Sequence, residues 1–197
     1  MPSFFCGAIV AVLVAGAPAQ QGAAPAGYPH SAADVKFMSG MIPHHAQAVL
    51  IGGWAEVQAT RPDVRILAAR IVVGQKDEIA LMREWLEVRG EPVPAANATH
   101  MKMTHNGVEH DMLMPGMLTD AQLAQLKGAP GAEFDRLFLT FMIKHHEGAI
   151  TMVDELFASY GAAQDETVFR FASDVYADQT TEIDRMQKML AGEGDPR

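Results

Sequence analysis

Residues 34–45 read Asp-Val-Lys-Phe-Met-Ser-Gly-Met-Ile-Pro-His-His, and this stretch occurs twice in the chain. Residues 135–146 read Asp-Arg-Leu-Phe-Leu-Thr-Phe-Met-Ile-Lys-His-His, so the aspartate, the phenylalanine, one methionine and both histidines recur without a gap. A looser match follows each copy, in which residues 75–82 and 179–186 share Gln, Glu-Ile and Met. Internal repeats set the architecture of a chain. The repeating unit is therefore a pair of segments that carries His, Met and acid each time.

The periodicity of both segments is helical. In each copy the aspartate, the methionine and the second histidine fall on one stripe with i, i+4, i+7 and i+11 spacing. Capping boxes begin at Ser31 and Thr119, and Pro43 should kink the first helix. The pattern predicts helices over about 31–60, 62–90, 119–127, 132–160 and 165–191, with no strand. We therefore expect an all-α fold, a four-helix bundle of ferritin-like connectivity built from two repeated antiparallel hairpins.

The domain boundaries follow from changes in composition. Residues 1–19 resemble a signal peptide because an apolar run is followed by Ala17-Pro-Ala, although no Lys or Arg precedes the run. Residues 20–30 are a flexible leader. Residues 31–192 form the bundle, with hairpin 31–90, a Met/His-rich linker 91–131 and hairpin 132–192. The expected location is periplasmic or secreted, with no stable membrane span once the signal is removed.

Charge and cysteine content exclude several partners and ligands. The net charge of −9 argues against nucleic acid and mildly favours cations. Cys6, the only cysteine of the chain, lies in the signal segment, so the mature chain has no thiolate ligand. A soft metal ligand must then be methionine. We find no nucleophile motif and no phosphate loop, and we assign no catalytic residue. The sequence does not indicate an oligomeric state.

The repeated Met-x-x-His-His motif is the candidate metal site. Its methionine lies three residues before the first histidine and four before the second, so it is a helical neighbour of each and could share an ion with either. Each repeat adds Glu and Met from the following helix. The candidate ligands are Met41, His44, His45, Met82, Met142, His145, His146 and Met186. Four acids could act behind them by orienting histidine rings, or could join the histidines in a metal-free buried network: Asp34, Glu78, Asp135 and Glu182.

The donor types favour copper over other metals. Thioether and imidazole together suit copper, above all Cu(I), and would suit Ag(I). Di-iron bundles use Glu-x-x-His, whereas Met41 and Met142 occupy the corresponding positions here. Zinc would be expected with more Cys and carboxylate. Another transition metal stays possible on this evidence.

The linker repeats the same donor types. Between residues 100 and 117 lie three histidines and five methionines, in a tract that could bind metal or could only fold over the bundle. These candidate linker ligands are His100, Met101, Met103, His105, His110, Met112, Met114 and Met117.

The ordered motifs resemble a known family. The Phe-x-x-x-Met-Ile-x-His-His cores at 37–45 and 138–146, the Met-Pro-Gly-Met-Leu-Thr run at 114–119 and the Glu-Ile-x-x-Met signatures at 78–82 and 182–186 are similar to the bacterial domain of unknown function 305. The resemblance covers about residues 30–191. It implies an exported ferritin-like bundle, with copper-binding, copper-resistance relatives and no established enzymatic activity.

Three hypotheses result. The first is an exported protein without catalytic activity that binds copper through Met and His for sequestration or resistance. The second is a ferritin-like metal-dependent oxidoreductase. The third is a structural or interaction module in which the histidines are only part of the core.

Overall fold

The computed structural model of the protein describes residues 30–105 and 108–192, and for 102–105 and 108–110 it describes the backbone only. The predicted signal segment 1–19 and all of the leader except residue 30 lie outside the described residues. In chain order the elements are α1 (Ala32–Gln58), α2 (Pro62–Glu87), β1 (Met101–His105), β2 (Val108–Met112), α3 (Asp120–Gly128), α4 (Gly131–Ala158) and α5 (Glu166–Ala191). The predicted all-α four-helix bundle is confirmed, with α3 as a short additional helix.

The helix ends follow local rules. Ser31 and Thr119 each form the capping box predicted from the sequence, in which the third helical residue returns a hydrogen bond to the cap. Pro62 occupies the first turn of α2, where its missing N–H costs nothing. Gly192 ends α5 with a φ of 78°, a left-handed conformation that glycine adopts without strain. Pro43 lies inside α1, which continues through it as one helix.

The bundle is two antiparallel hairpins joined face to face. α1 packs on α2 and α4 packs on α5, and the main contact between the hairpins is that of α1 with α4. The N-terminal end of α1 meets the α4–α5 connection, and the N-terminal end of α4 meets the α1–α2 connection. The central helices therefore run antiparallel, and a pseudo-two-fold axis passes between them.

The first residues of the two repeats lock this arrangement reciprocally. Asp34 Oδ1 accepts a hydrogen bond of 2.7 Å from the backbone N–H of Ala163, in the α4–α5 connection. Asp135 accepts from the backbone N–H groups of Thr60 and Arg61, at 2.9 and 3.1 Å, and from the Thr60 hydroxyl. Both carboxylates are buried. Each hairpin thus satisfies the exposed backbone donors of the other hairpin's turn, which fixes how far the two slide past each other.

The apolar core is divided into two clusters. One holds Met41 and Met82 of the first repeat, and the other holds Met142 and Met186 of the second, all with 0% exposure. Methionine fills irregular space readily, which suits helices that cross at repeated short side chains. The repeated methionine pairs consequently lie in separate clusters, each of which also contains residues of the other hairpin.

The linker contains an element that the sequence analysis missed. Residues 101–105 and 108–112 form a two-stranded antiparallel hairpin in which Met101 pairs with Met112. We predicted no strand, and this part of the prediction was wrong. The signal was present in the sequence: Asn106-Gly107 is the dipeptide that two-residue hairpin loops prefer. In the described part of the chain, none of the helices has the length and apolarity that a membrane crossing requires.

The reciprocal aspartates generate a stability prediction. Asp135→Ala leaves two backbone N–H groups and a hydroxyl without their acceptor, so we expect unfolding free energy to fall by about 2–3 kcal/mol. Urea denaturation followed by circular dichroism measures it. Asp184→Ala is the matched control, since Asp184 pairs only with Lys188 on an exposed helix face among the contacts described, and little change is expected there. Equal losses in both variants would contradict the locking role.

Candidate functional site

Four histidines meet where α1 crosses α4. His44, His45, His145 and His146 all have 0% exposure. The rings of His44 and His145 lie against each other across the pseudo-two-fold axis, with centroids 3.8 Å apart and planes tilted by 41°. The repeated His-His dipeptides therefore form one buried group, which we call the histidine tetrad.

The outer histidines of the tetrad each face a glutamate of the next helix. His45 Nε2 lies 2.7 Å from Glu78 Oε2, and His146 Nε2 lies 2.7 Å from Glu182 Oε2. The His146 contact has hydrogen-bond geometry, whereas the His45 contact is close in distance only. Both glutamates are partly exposed, at 24% and 28%. The structure thus brings together the histidines and glutamates that the sequence analysis paired.

Most of the tetrad's nitrogen atoms have no hydrogen-bond partner. Buried polar atoms are almost always paired, so each exception calls for an explanation. The unpaired ones here are His44 Nδ1, His45 Nδ1, His45 Nε2, His145 Nδ1, His145 Nε2 and His146 Nδ1. A group of unpaired imidazole nitrogens at 0% exposure is a donor set that a soft or borderline metal ion would satisfy.

Burial governs the protonation of the two central rings. Desolvation, and after it the neighbouring histidines (His45 for His44, His44 for His145), hold the pKa of both imidazoles well below the ordinary 6.5. The contact of His44 Nε2 with the Pro115 carbonyl, at 3.1 Å, acts in the opposite direction but is a smaller effect. His44 and His145 are therefore neutral near pH 7, the form in which imidazole binds metal.

Imidazole and carboxylate alone do not complete a metal site. Among the described residues, no three His, Cys, Asp or Glu side chains converge closely enough to hold an ion. Thioethers are the nearest further donors along the chain, because Met41 and Met142 lie one turn before the histidine pairs in the buried faces of α1 and α4. A metal ion at the tetrad would need these thioethers, or a rotation of the side chains.

A strap from the linker covers one side of the tetrad. Residues 114–118 (Met-Pro-Gly-Met-Leu), called the strap below, are held by Gln47, whose amide donates to the Leu118 carbonyl at 3.0 Å and accepts from the Leu118 N–H at 2.7 Å. The position equivalent to Gln47 in the second repeat is Gly148. A Cβ there would overlap the backbone of Pro115. The first repeat therefore binds the strap through the Gln47 side chain. The second repeat leaves space for the strap because Gly148 has no side chain.

An acidic cleft between α2 and α5 adjoins the tetrad at Glu78. Glu78, Asp174 and Asp178 line this cleft of about 620 Å³. Burial raises the pKa of the Asp178 carboxyl, and the charges of Glu78, Glu182 and Asp174 raise it further. Because Glu78 lines the cleft and also contacts His45, this face connects the tetrad with solvent.

Other predicted site residues lie elsewhere. Asp34 and Asp135 are on the stripe of the histidines, but their carboxylates bond to the opposite hairpin's connection instead of orienting a ring. His100 lies 3.7 Å from Asp120, and Met101 packs on the first core cluster. The side chains of Met103, His105 and His110 lie outside the description, so their role stays a prediction.

Two residues near the tetrad were not among the predicted ligands. Gln75 and Gln179 are 5% and 3% exposed, and their Oε1 atoms have no hydrogen-bond partner. They lie one turn before Glu78 and Glu182 in the two repeats. The signal was the recurrence of Gln in the looser half of the repeat, which we used only as evidence of duplication.

The chain was compared with known families and proteins. The family profile described as "Domain of unknown function (DUF305)" matches residues 34–190. A curated relative, "Uncharacterized protein L153" of Acanthamoeba polyphaga mimivirus, is 34% identical over 56 residues, which are 28% of this chain and 37% of that protein. The match therefore spans little more than a third of the relative's length.

Several solved structures share the fold. A DUF305 protein of Streptomyces coelicolor, described as a candidate secreted protein, aligns with a TM-score of 0.68 and 26% identity, over 82% of this chain and 94% of that one. A DUF305 fragment from Deinococcus radiodurans gives the same TM-score and identity over 83% and 99%. CopM in its Cu(I)-bound form aligns with a TM-score of 0.61 and 27% identity, over 81% and 96%, and Cu(II)-bound and Ag-bound forms of CopM also align.

The lowered histidine pKa values predict a pH dependence of stability in the metal-free protein. Below pH 6.5 the unfolded chain protonates His44 and His145 while the folded chain does not, so stability falls as pH falls through that value. The expected slope is up to about 1.4 kcal/mol per pH unit for each histidine. Urea denaturation at pH 7 and pH 5.5 measures it. An undiminished slope in the His44→Gln/His145→Gln variant would refute this assignment.

The strap generates a matched pair of glycine substitutions. Gly148→Ala places a methyl group on the Pro115 backbone, and we expect overpacking to cost about 1–3 kcal/mol of unfolding free energy. Gly74→Ala, in α2, meets nothing within 4 Å and should stabilise the helix by about 0.5–1 kcal/mol. Thermal unfolding of both variants tests the pair. If G148A is as stable as G74A, the close approach of strap and α4 is not what holds them together.

Proposed function

Because the chain belongs to the DUF305 family, whose fold it shares with structures of CopM bound to copper and silver, we propose that it binds copper, most tightly as Cu(I), and sequesters it. The observation that carries the proposal is the set of four buried histidines in the tetrad, six of whose ring nitrogens make no hydrogen bond of normal geometry to the described protein atoms. Copper is the cargo here, and no reaction is assigned to it.

The donors have distinct roles in this proposal. His44, His45, His145 and His146 supply nitrogen, and Met41 and Met142 supply sulfur from the same helices. Met82 and Met186, buried on α2 and α5, are the further sulfur candidates. Glu182 orients the His146 ring through a hydrogen bond of 2.7 Å, and Glu78, 2.7 Å from His45 Nε2, is placed to do the same for His45, as carboxylates commonly do for metal-binding histidines.

Neutral imidazole and thioether together favour Cu(I) over harder ions. Both are uncharged donors of soft or borderline character, and the two central rings stay neutral because they are buried. No proton has to leave these rings when the ion enters. The tetrad therefore suits a monovalent soft cation, and Ag(I) should compete for it.

We further propose that the protein acts outside the cytoplasm. The apolar run and small-residue site of residues 1–19 have the pattern of an export signal, and a structural relative is described as a candidate secreted protein. A chain without cysteine beyond position 6 is suited to an oxidising compartment, where thiolate ligands would be lost to disulfides.

Metal content of purified protein tests the proposal. Protein loaded anaerobically with Cu(I) and dialysed against a competing chelator should retain copper by mass spectrometry, and its melting temperature should rise because the ion binds only the folded state. The quadruple variant His44→Ala/His45→Ala/His145→Ala/His146→Ala should lose the copper bound at the tetrad.

The control is His30→Ala, which removes a partly exposed histidine paired with Glu91 and should leave copper retention unchanged. Circular dichroism shows whether the quadruple variant keeps its helices. If that variant is unfolded, the double variant His45→Gln/His146→Gln takes its place, because glutamine is close to histidine in size. Copper retention equal to that of the unsubstituted protein in a folded tetrad variant would refute the tetrad as the site.

A further inference from the structure

We propose that Met112, Met114 and Met152 form a second binding site for a soft monovalent cation, at the surface and separate from the tetrad. The proposal rests on the proposed function for the identity of the ion as Cu(I), with Ag(I) as its analogue. Met112 and Met114 belong to the linker tract predicted from the sequence, whereas Met152, on α4, is added by the structure.

The three side chains line one cleft. It has a volume of about 190 Å³ and lies between α1, α4 and residues 112–115. Met112 is 36% exposed at its mouth, while Met114 and Met152 are 8% and 7% exposed. The cleft therefore leads from solvent to two nearly buried thioethers, an arrangement that an ion can enter without unfolding the bundle.

Gly40 of α1 brings the two inner methionines together. A Cβ at this position would lie 3.2 Å from Met114 Sδ and 3.5 Å from Met152 Cε, so both thioether groups pack side by side over the glycine. Ordinary core packing would accept any apolar side chains there. Thioether chains are unbranched and flexible, which lets their sulfur atoms converge on an ion without movement of the backbone.

The two methionines of the strap differ in the contacts that their sulfur atoms make. The Met117 sulfur accepts a hydrogen bond of 3.2 Å from the Met114 backbone N–H, which closes the Met-Pro-Gly-Met turn. The Met114 sulfur points instead to Gly40 in the cleft. Gly116, with a φ of 77°, packs directly on the α4 backbone at Lys144 and holds Met114 in place. The site is therefore preorganised on its inner side.

The charge around the cleft favours soft ions over hard ones. Among its described lining residues, Glu155 is the one acid, and it lies 3.7 Å from Lys36 at the exposed rim. Hard cations such as Mg²⁺ or Ca²⁺ need several oxygen ligands, which the cleft lining does not provide. Three thioethers suit Cu(I) and Ag(I). Pro115, whose carbonyl contacts His44, also lines the cleft, which places the site beside the tetrad.

The test uses Ag(I) as a probe that does not change oxidation state. Protein labelled with ¹³C at the methionine methyl groups is titrated with silver nitrate in chloride-free buffer, and the methyl signals are assigned with single Met→Leu variants. We expect the signals of Met112, Met114 and Met152 to shift. They should not shift when magnesium nitrate is added at the same concentration.

The variant Met112→Leu/Met114→Leu/Met152→Leu keeps the side-chain volume, and such swaps are well tolerated. We expect the variant to bind one silver ion fewer per chain than the unsubstituted protein, because the affinity of the cleft for silver falls by at least about tenfold. The tetrad should still bind metal. The matched control is Met189→Leu, a buried methionine of the other core cluster, which should bind silver as the unsubstituted protein does.

The outcomes separate this inference from the proposed function. If the three methyl signals do not shift, or the triple leucine variant binds as much silver as the unsubstituted protein, the cleft is not a site, whatever the tetrad does. If the tetrad variant still shows the three methyl shifts, the cleft stands as an independent site even where the tetrad proposal fails.

Discussion

The close contact between the His44 and His145 rings is the constraint from which the rest of the bundle follows. Two imidazole rings whose centroids are 3.8 Å apart, at full burial, place polar nitrogen atoms where no water reaches them. Burying unpaired polar groups costs free energy. Other interactions must therefore offset this cost. The two apolar clusters and the reciprocal aspartates provide the stabilisation.

The reciprocal aspartates show how a duplicated hairpin can hold such a contact in register. Asp34 and Asp135 each begin a repeat, and each binds the connection of the other hairpin. A shift of α1 along α4 would break both interactions at once. The rings on the axis are consequently positioned by contacts at both ends of the bundle, and the tetrad itself does not have to supply the attraction that keeps it together.

The features of the fold that could be predicted from the sequence are those that depend on residues close together in the chain or on the internal repeat. Helix bounds and capping boxes depend on neighbouring residues, and the repeat made it possible to name Glu78 and Glu182 among the acids that could orient the histidine rings. The role of Asp34 was not accessible in this way, because it shares a helical stripe with His45 and only the fold shows that its partner is Ala163. The strand pair was missed for a different reason: the Met/His-rich composition of this segment indicated a linker, and the Asn-Gly signal within it was not weighed.

The departures from two-fold symmetry give the tetrad two unlike sides. Gln47 and Gly148 occupy equivalent positions, yet one binds the strap through its side chain and the other makes room for it. Two copies of either residue would not hold a single strand of chain that lies across the axis. The strap brings methionine and a backbone carbonyl to one side, while Asp178 adds acid to the other, where the first repeat has Gly74. The two repeats therefore differ in what they place around the same four histidines: the strap backbone lies beside His44, and the additional carboxylate of Asp178 lies near Glu78 and Glu182.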